Sequence, residues 1–206
     1  MIKIKVAVID ADLIGRKKHR FPNLASMKIS GYYKKLGSDV ELKLDYEDLE
    51  SYDKVFISKV FTDTPIDESV LNLPNVEYGG TGFFYDKAPK LPYEVEHHVP
   101  DYHLYDEWVQ QRLDEDGNRN DFKYYLDYSI GLATRGCFRQ CQFCVNKNYK
   151  KVEVHSPLDE FVDYSRKRYV YLMTISLVIL VGKIFYLNYK QLENHFSLNK
   201  GLMRDY

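Results

Sequence analysis

Short apolar runs alternate with longer stretches of helical spacing along the first part of the chain. Residues 3–9, Lys-Ile-Lys-Val-Ala-Val-Ile, are rich in β-branched side chains and predict a buried strand, with Asp10 and Asp12 at its carboxyl end. Asn23 stands where a helix N-cap is needed. Leu24, Met27, Ile29 and the Tyr32-Tyr33 pair then lead to Leu36 and Gly37, which predicts a helix of about three turns closed by Gly37. Residues 40–44 alternate as a strand, 52–58 form another, 65–71 suit a short helix, and Val76-Glu77-Tyr78 runs into Gly79-Gly80-Thr81-Gly82. That last stretch lacks the G-x-G-x-x-G spacing of a phosphate loop and is read as a tight turn. Strands separated by helical or loop crossovers argue for an α/β unit over residues 1–85, built as an open, doubly wound (Rossmann-like) parallel sheet.

Residues 86–127 read as a polar connector punctuated by Pro89, Pro92 and Pro100, with Trp108 beyond. His97, His98 and His103 lie in it without helical i, i+4 spacing and are expected to be plain loop residues. Asp114-Glu115-Asp116-Gly117-Asn118 invites a calcium loop, but with Asp114 in the first position the required glycine falls on Arg119, so a surface turn is expected. Residues 128–134 predict a further strand. A helix is expected over residues 157–164, with Ser156 as N-cap, Pro157 in the first position and acidic residues in the first turn.

Composition narrows the function classes. A chain of 206 residues accommodates one or two domains, and 45% hydrophobic content with 15% aromatics supplies a core and argues against disorder. A net charge of −1, from 29 basic and 30 acidic residues, gives no field that would draw the protein to nucleic acid or to a membrane, and neither is expected as a partner. The basic run Arg16-Lys17-Lys18-His19-Arg20 is therefore read as a solvated loop. The three cysteines are few, odd in number and clustered, which excludes a disulfide framework and fits a reducing cytoplasm. The N-terminal residues have no apolar stretch long enough for a signal peptide.

All three cysteines fall within Arg135-Gly136-Cys137-Phe138-Arg139-Gln140-Cys141-Gln142-Phe143-Cys144-Val145-Asn146, spaced C-x3-C-x2-C. Three thiolates this close can grip one face of a soft-metal centre, and iron–sulfur clusters are held by cysteine thiolates. On the residues alone, a zinc site completed by a histidine such as His155 and three unrelated buried thiols remain as alternatives.

The stretch resembles the signature of the radical S-adenosylmethionine (radical SAM) superfamily, C-x3-C-x-aromatic-C, with Phe143 as the aromatic. The resemblance implies that Cys137, Cys141 and Cys144 ligate three irons of a 4Fe-4S cluster and that S-adenosyl-L-methionine chelates the open fourth. It further implies that Phe143 lies beside the adenine, that Gly136 and Gln142 shape the loop, and that an electron donor such as flavodoxin or ferredoxin reduces the cluster. The chemistry implied is generation of a 5′-deoxyadenosyl radical that abstracts hydrogen from a substrate, with the cofactor carrying the reaction. No catalytic residue acting on substrate is identified. Residues 128–168 would be the first βα unit of a radical SAM β/α barrel, in the order strand, cluster loop, helix. Residues 1–85 resemble the cobalamin-binding-like domain that precedes many such barrels. The family's Asp-x-His-x-x-Gly motif has no counterpart here, because Asp12 to Gly15 contains no histidine, and no cobalamin is expected.

The last part of the chain departs from this pattern. Residues 169–182 carry no charge, and the apolar run continues past Lys183 to Leu187, near the length of a membrane span. A span there would cut through the second strand of a barrel. Reading residues 169–176 from each third codon base permits C-L-L-D-D-N-I, an apolar strand ending in carboxylates, and the same frame across residues 195–206 permits F-Q-F-K-Q-G-L-D-E-R-L. A single-nucleotide frameshift near Arg168 is therefore expected, with 169–206 an aberrant, apolar helical or irregular tail and the barrel truncated, inactive or nearly so. Two other readings stand beside this one: a non-catalytic metal-binding α/β module, and a membrane-anchored protein using residues 169–187 as its span.

Overall fold

The computed structural model describes residues 3–16, 21–137, 141–144, 148 and 151–173. Its first layer is a four-stranded sheet, all parallel, formed by β1 (Lys5–Asp10), β2 (Asp39–Lys43), β3 (Lys54–Ser58) and β4 (Val76–Gly79) in the order β2-β1-β3-β4. The chain is thus α/β, as expected. Val6, Ala7, Val8 and Ile9 of β1 are all 0% exposed, because a central strand of a parallel sheet is covered on both faces. Period-two alternation sends Val6 and Val8 to one core, with Met27 and Ile29. It sends Ala7 and Ile9 to the other, with Leu49, Tyr52, Val55 and Ile57.

Two helices follow β1. Asp10 caps α1 (Ala11–Gly15), its carboxylate accepting from the backbone N–H of Asp12 and Leu13. Asn23 caps α2 (Leu24–Lys35) by accepting from Ser26 N–H, and Gly37 takes a positive φ of 82° just past its end. The turn after β4 is tight: Gly80 has φ 106°, and a Cβ there would lie 2.2 Å from the Lys59 carbonyl oxygen. The short helix expected over 65–71 is a 3-10 turn, Glu68–Asn72, capped by Asp67.

Residues 86–127, expected to be a connector, are a packed layer. After α3 (Thr81–Phe84) come α4 (Tyr93–Glu96), α5 (Asp106–Asp116) and α6 (Lys123–Leu126). Val95, Tyr102, Leu104, Tyr105, Val109 and Tyr125 share one core with Val6, Val8, Met27 and Ile29. The turn expected at 114–118 is mostly helix, since α5 runs through Asp116, and Asn118 then caps a 3-10 turn, Arg119–Phe122.

A second sheet has the order β6-β5-β7, built from β5 (Tyr128–Arg135), β6 (Glu153–Val154) and β7 (Arg168–Met173). β6 is antiparallel to β5 and β7 is parallel to it. Two expected elements take another form. The helix over 157–164 is a single 3-10 turn, Leu158–Glu160, with Pro157 rather than Ser156 at the N-cap. Its continuation is blocked by competing hydrogen bonds. Tyr102 OH donates to the Phe161 carbonyl, and Ser129 Oγ accepts from Asp163 N–H at 2.9 Å and donates to Asp163 C=O at 3.2 Å. The tail expected to be helical or irregular from residue 169 begins instead as a strand through Met173. The remainder of that apolar stretch lies outside the described residues. Among the described residues no helix is long and apolar enough to cross a membrane.

Candidate functional site

The cysteine stretch leaves the carboxyl end of β5 and returns along β6, so it is the loop of a wide antiparallel connection. Its base is closed by the pairs Thr134↔Val154 and Arg135↔Glu153, extended by His155 N–H to Ala133 C=O at 3.0 Å and Ser156 N–H to Leu132 C=O at 3.2 Å. Gly136 has φ 95°, a left-handed turn that lets the chain peel off the strand before Cys137. Cys137, Cys141 and Cys144 are half-buried, and none is in a disulfide. A turn joins the last two, with Cys144 N–H donating to Cys141 C=O at 3.0 Å. Phe143, within that turn, is 83% exposed.

The loop is docked on the first α/β unit at its tip. Tyr85 OH donates to the Phe143 carbonyl, and Asn148 Nδ2 donates to Asp86 C=O at 2.8 Å. Tyr85 holds a positive φ of 51°, a strained conformation for a side chain of its size.

A half-buried charge cluster, with Lys28 as its buried member, sits at the loop's base. Glu96, at the end of α4, meets three cationic or proton-bearing groups with one oxygen, Oε1: Arg135 Nη2 at 2.7 Å, His155 Nε2 at 2.8 Å and Lys28 Nζ at 3.3 Å. Lys28 Nζ also donates to the Glu96 carbonyl. Burial by itself would raise the Glu96 carboxyl, but the hydrogen bond from His155 and the charges of Lys28 and Arg135 outweigh it and hold the group down at about 2. Burial dominates at Lys28, which is pulled below its ordinary value despite Glu96. Arg135 Nε also approaches His155 Nε2 at 3.1 Å. One nitrogen cannot donate to Glu96 and accept from Arg135 together. An ionised carboxylate can only accept, so the His155 Nε2–H points at Glu96 and Arg135 is bound through Nη2.

The other candidates are distributed around this centre. His97 Nδ1 pairs with Glu160 Oε2 at 2.8 Å, His98 Nδ1 meets the Val99 carbonyl at 2.8 Å, and His103 Nδ1 pairs with Asp106 Oδ2 at 2.6 Å. Asp10 accepts from Tyr105 OH at 2.9 Å. Asp12 accepts from Val60 N–H at 2.7 Å and from the Thr64 hydroxyl, so both carboxylates hold the carboxyl edge of the first sheet together. Arg16 pairs with Asp63 at 2.8 Å, and the rest of the basic run lies outside the described residues.

Among the described residues, no group of three or more His, Cys, Asp or Glu side chains is gathered closely enough to hold a metal ion. The chemistry of the cysteine set nonetheless suits an iron–sulfur cluster: three soft thiols outside any disulfide, on one loop with a glycine at its entry. Glu96, Arg135 and Lys28 were not singled out from sequence, because their partners lie 39 and 68 positions away. Comparison with protein-family models, curated proteins and solved structures finds no match to this chain.

Proposed function

We propose that this chain is a radical SAM-type iron–sulfur protein in which Cys137, Cys141 and Cys144 hold three irons of a 4Fe-4S cluster and S-adenosyl-L-methionine takes the fourth. The observation that carries the reading is the C-x3-C-x-aromatic-C spacing. Its placement supports it, since the loop leaves the carboxyl end of β5, the end of a strand at which β/α barrels place their chemistry. The all-parallel order β2-β1-β3-β4, with apolar cores on both faces, supports reading the first unit as doubly wound, Rossmann-like and akin to a cobalamin-binding-like domain, without the histidine that would seat cobalamin.

When bound, the cluster supplies the electron that cleaves S-adenosylmethionine to a 5′-deoxyadenosyl radical. The chain's own part is to bind and orient. The three thiolates ligate, Gly136 turns the backbone into the loop, and the exposed ring of Phe143 offers an apolar face for the adenine while its carbonyl is held by Tyr85. A flavodoxin- or ferredoxin-like donor in a reducing cytoplasm would supply the electron. The reading includes a coding-frame change near Arg168, for which the nucleotide sequence is the test: a shifted frame that stays open supports it, and early stop codons remove it.

Anaerobic reconstitution with iron and sulfide tests the cluster assignment. The expected product carries about four irons and four sulfides per chain and a reduced-state paramagnetic signal that changes on adding S-adenosylmethionine. Replacement of any one of the three cysteines by serine should abolish loading. Stoichiometric zinc in place of iron, or loading that is indifferent to those serines, overturns the proposal.

A further inference from the structure

We infer that Glu96 is the positioning residue of the cysteine loop, a single carboxylate that ties the segment entering the loop and the segment leaving it to the first α/β unit. Arg135 stands two residues before Cys137, and His155 follows the strand that closes the loop. Both reach the same oxygen of Glu96, at 2.7 and 2.8 Å. The fixed end of the clamp is Lys28, 2% exposed on α2, whose neighbours Met27 and Ile29 are core residues of the first unit. Glu96 thereby converts the packing of α2 and α4 into a defined exit and return point for the chain that carries the thiols.

Stability alone is a poor reason for this arrangement. An ion pair as far out of water as Lys28–Glu96 gains little over apolar side chains of the same volume, because desolvation offsets the attraction between its members. What apolar packing does not supply is direction. The β5–β6 backbone pairing sets the span between the two ends of the loop, and three donors converging on one oxygen fix the orientations of Arg135 and His155 against α2 and α4. Tyr85 and Asp86 hold the tip separately, and at the base Glu96 acts beside the β5–β6 backbone bonds. That the positioned thiols are cluster ligands rests on the function proposed above, whereas the clamp itself does not.

The test uses the full chain without metal. Iodoacetamide alkylation of each thiol is followed by mass spectrometry, together with amide exchange in β1, β3, β5 and β6. Glu96→Gln should raise the alkylation rate of Cys137 about tenfold and lower protection at the base of the loop, with protection of β1 and β3 unchanged. Glu94→Gln, an exposed neighbour, should change neither, and Glu96→Asp should restore part of the wild-type rate. Rates and β5–β6 protection equal to wild type in Glu96→Gln overturn the inference. Should that variant unfold throughout, Arg135→Lys keeps the charge and removes the Nη2 contact; a raised Cys137 rate supports the clamp, and an unchanged rate overturns it. Because the thiol rates need no cluster, a chain that shows the clamp but loads no iron sinks the functional proposal alone. A chain that loads iron equally well with or without Glu96, at unchanged thiol rates, sinks this one alone.

Discussion

The two partners at the centre of the charge cluster respond to folding in opposite senses. Glu96 is held at about 2 against an ordinary 4.5, so ionising it favours the folded state, whereas burial pulls Lys28 down and works against that gain. The contribution of Glu96 is fully present above pH 4.5 and is lost as pH falls toward 2. Denaturant midpoints measured across that window should fall more steeply for wild type than for Glu96→Gln, and parallel curves would remove Glu96 from the acid response. A second single-residue test lies in β5. A Cβ at Gly131 would stand 2.0 Å from Phe161 Cγ, and Phe161 is 1% exposed. Gly131→Ala should cost about 1–3 kcal/mol by overpacking, read from urea unfolding, and Phe161→Leu in the same chain should recover part of it. Neither residue was identifiable beforehand, since a glutamate in a polar segment and a glycine in a strand carry no mark of what will face them.

Local rules serve well at the scale of elements where neighbours in sequence are also neighbours in space. Asn23 both caps α2 and donates from Nδ2 to Ser58 Oγ at 2.9 Å, which joins the helix to the end of β3. Asn23→Ala should lower stability by about 1–2 kcal/mol, measured by thermal or chemical unfolding, and a loss of only a few tenths would mean that Ser26 N–H finds water instead. Residues 157–164 show the opposite case. Their Ser-Pro-acidic signature is a proper helix start, yet Tyr102 and Ser129 take the backbone groups that a second turn needs. Those competitors lie 59 and 34 positions away, beyond any window that reads propensity. α5 is hidden in the sequence for a related reason: Tyr105, Val109 and Leu113 do recur at helical spacing, but prolines and histidines ahead of them give the segment the look of a loop.

Across the whole molecule, residues 86–127 do more than join two parts. Their aromatic side chains complete the core on the Val6 and Val8 face of the first sheet, and Tyr102 and Arg166 bind that layer to the second sheet. A chain ending at residue 85 should therefore lack fixed tertiary packing, seen as weak near-ultraviolet dichroism and low amide protection in β1. One ending at residue 127 should recover both, because the apolar face of β1 is then covered. A cooperative, well-protected 1–85 fragment would contradict this account of the core.

Periodicity, caps and glycines by themselves determined the first sheet, its long helix and the strand before the cysteines, because each depends on residues a few positions apart. The same local reading picked out the thiols, whose spacing is a property of the chain and not of its folding. Tertiary structure alone decided that residues 86–127 form a core layer and that residues 157–164 do not form a helix. It also decided that one carboxylate meets both ends of the cysteine loop. Each of these is set by contacts between distant residues, where packing and competition for backbone hydrogen bonds outweigh local preference.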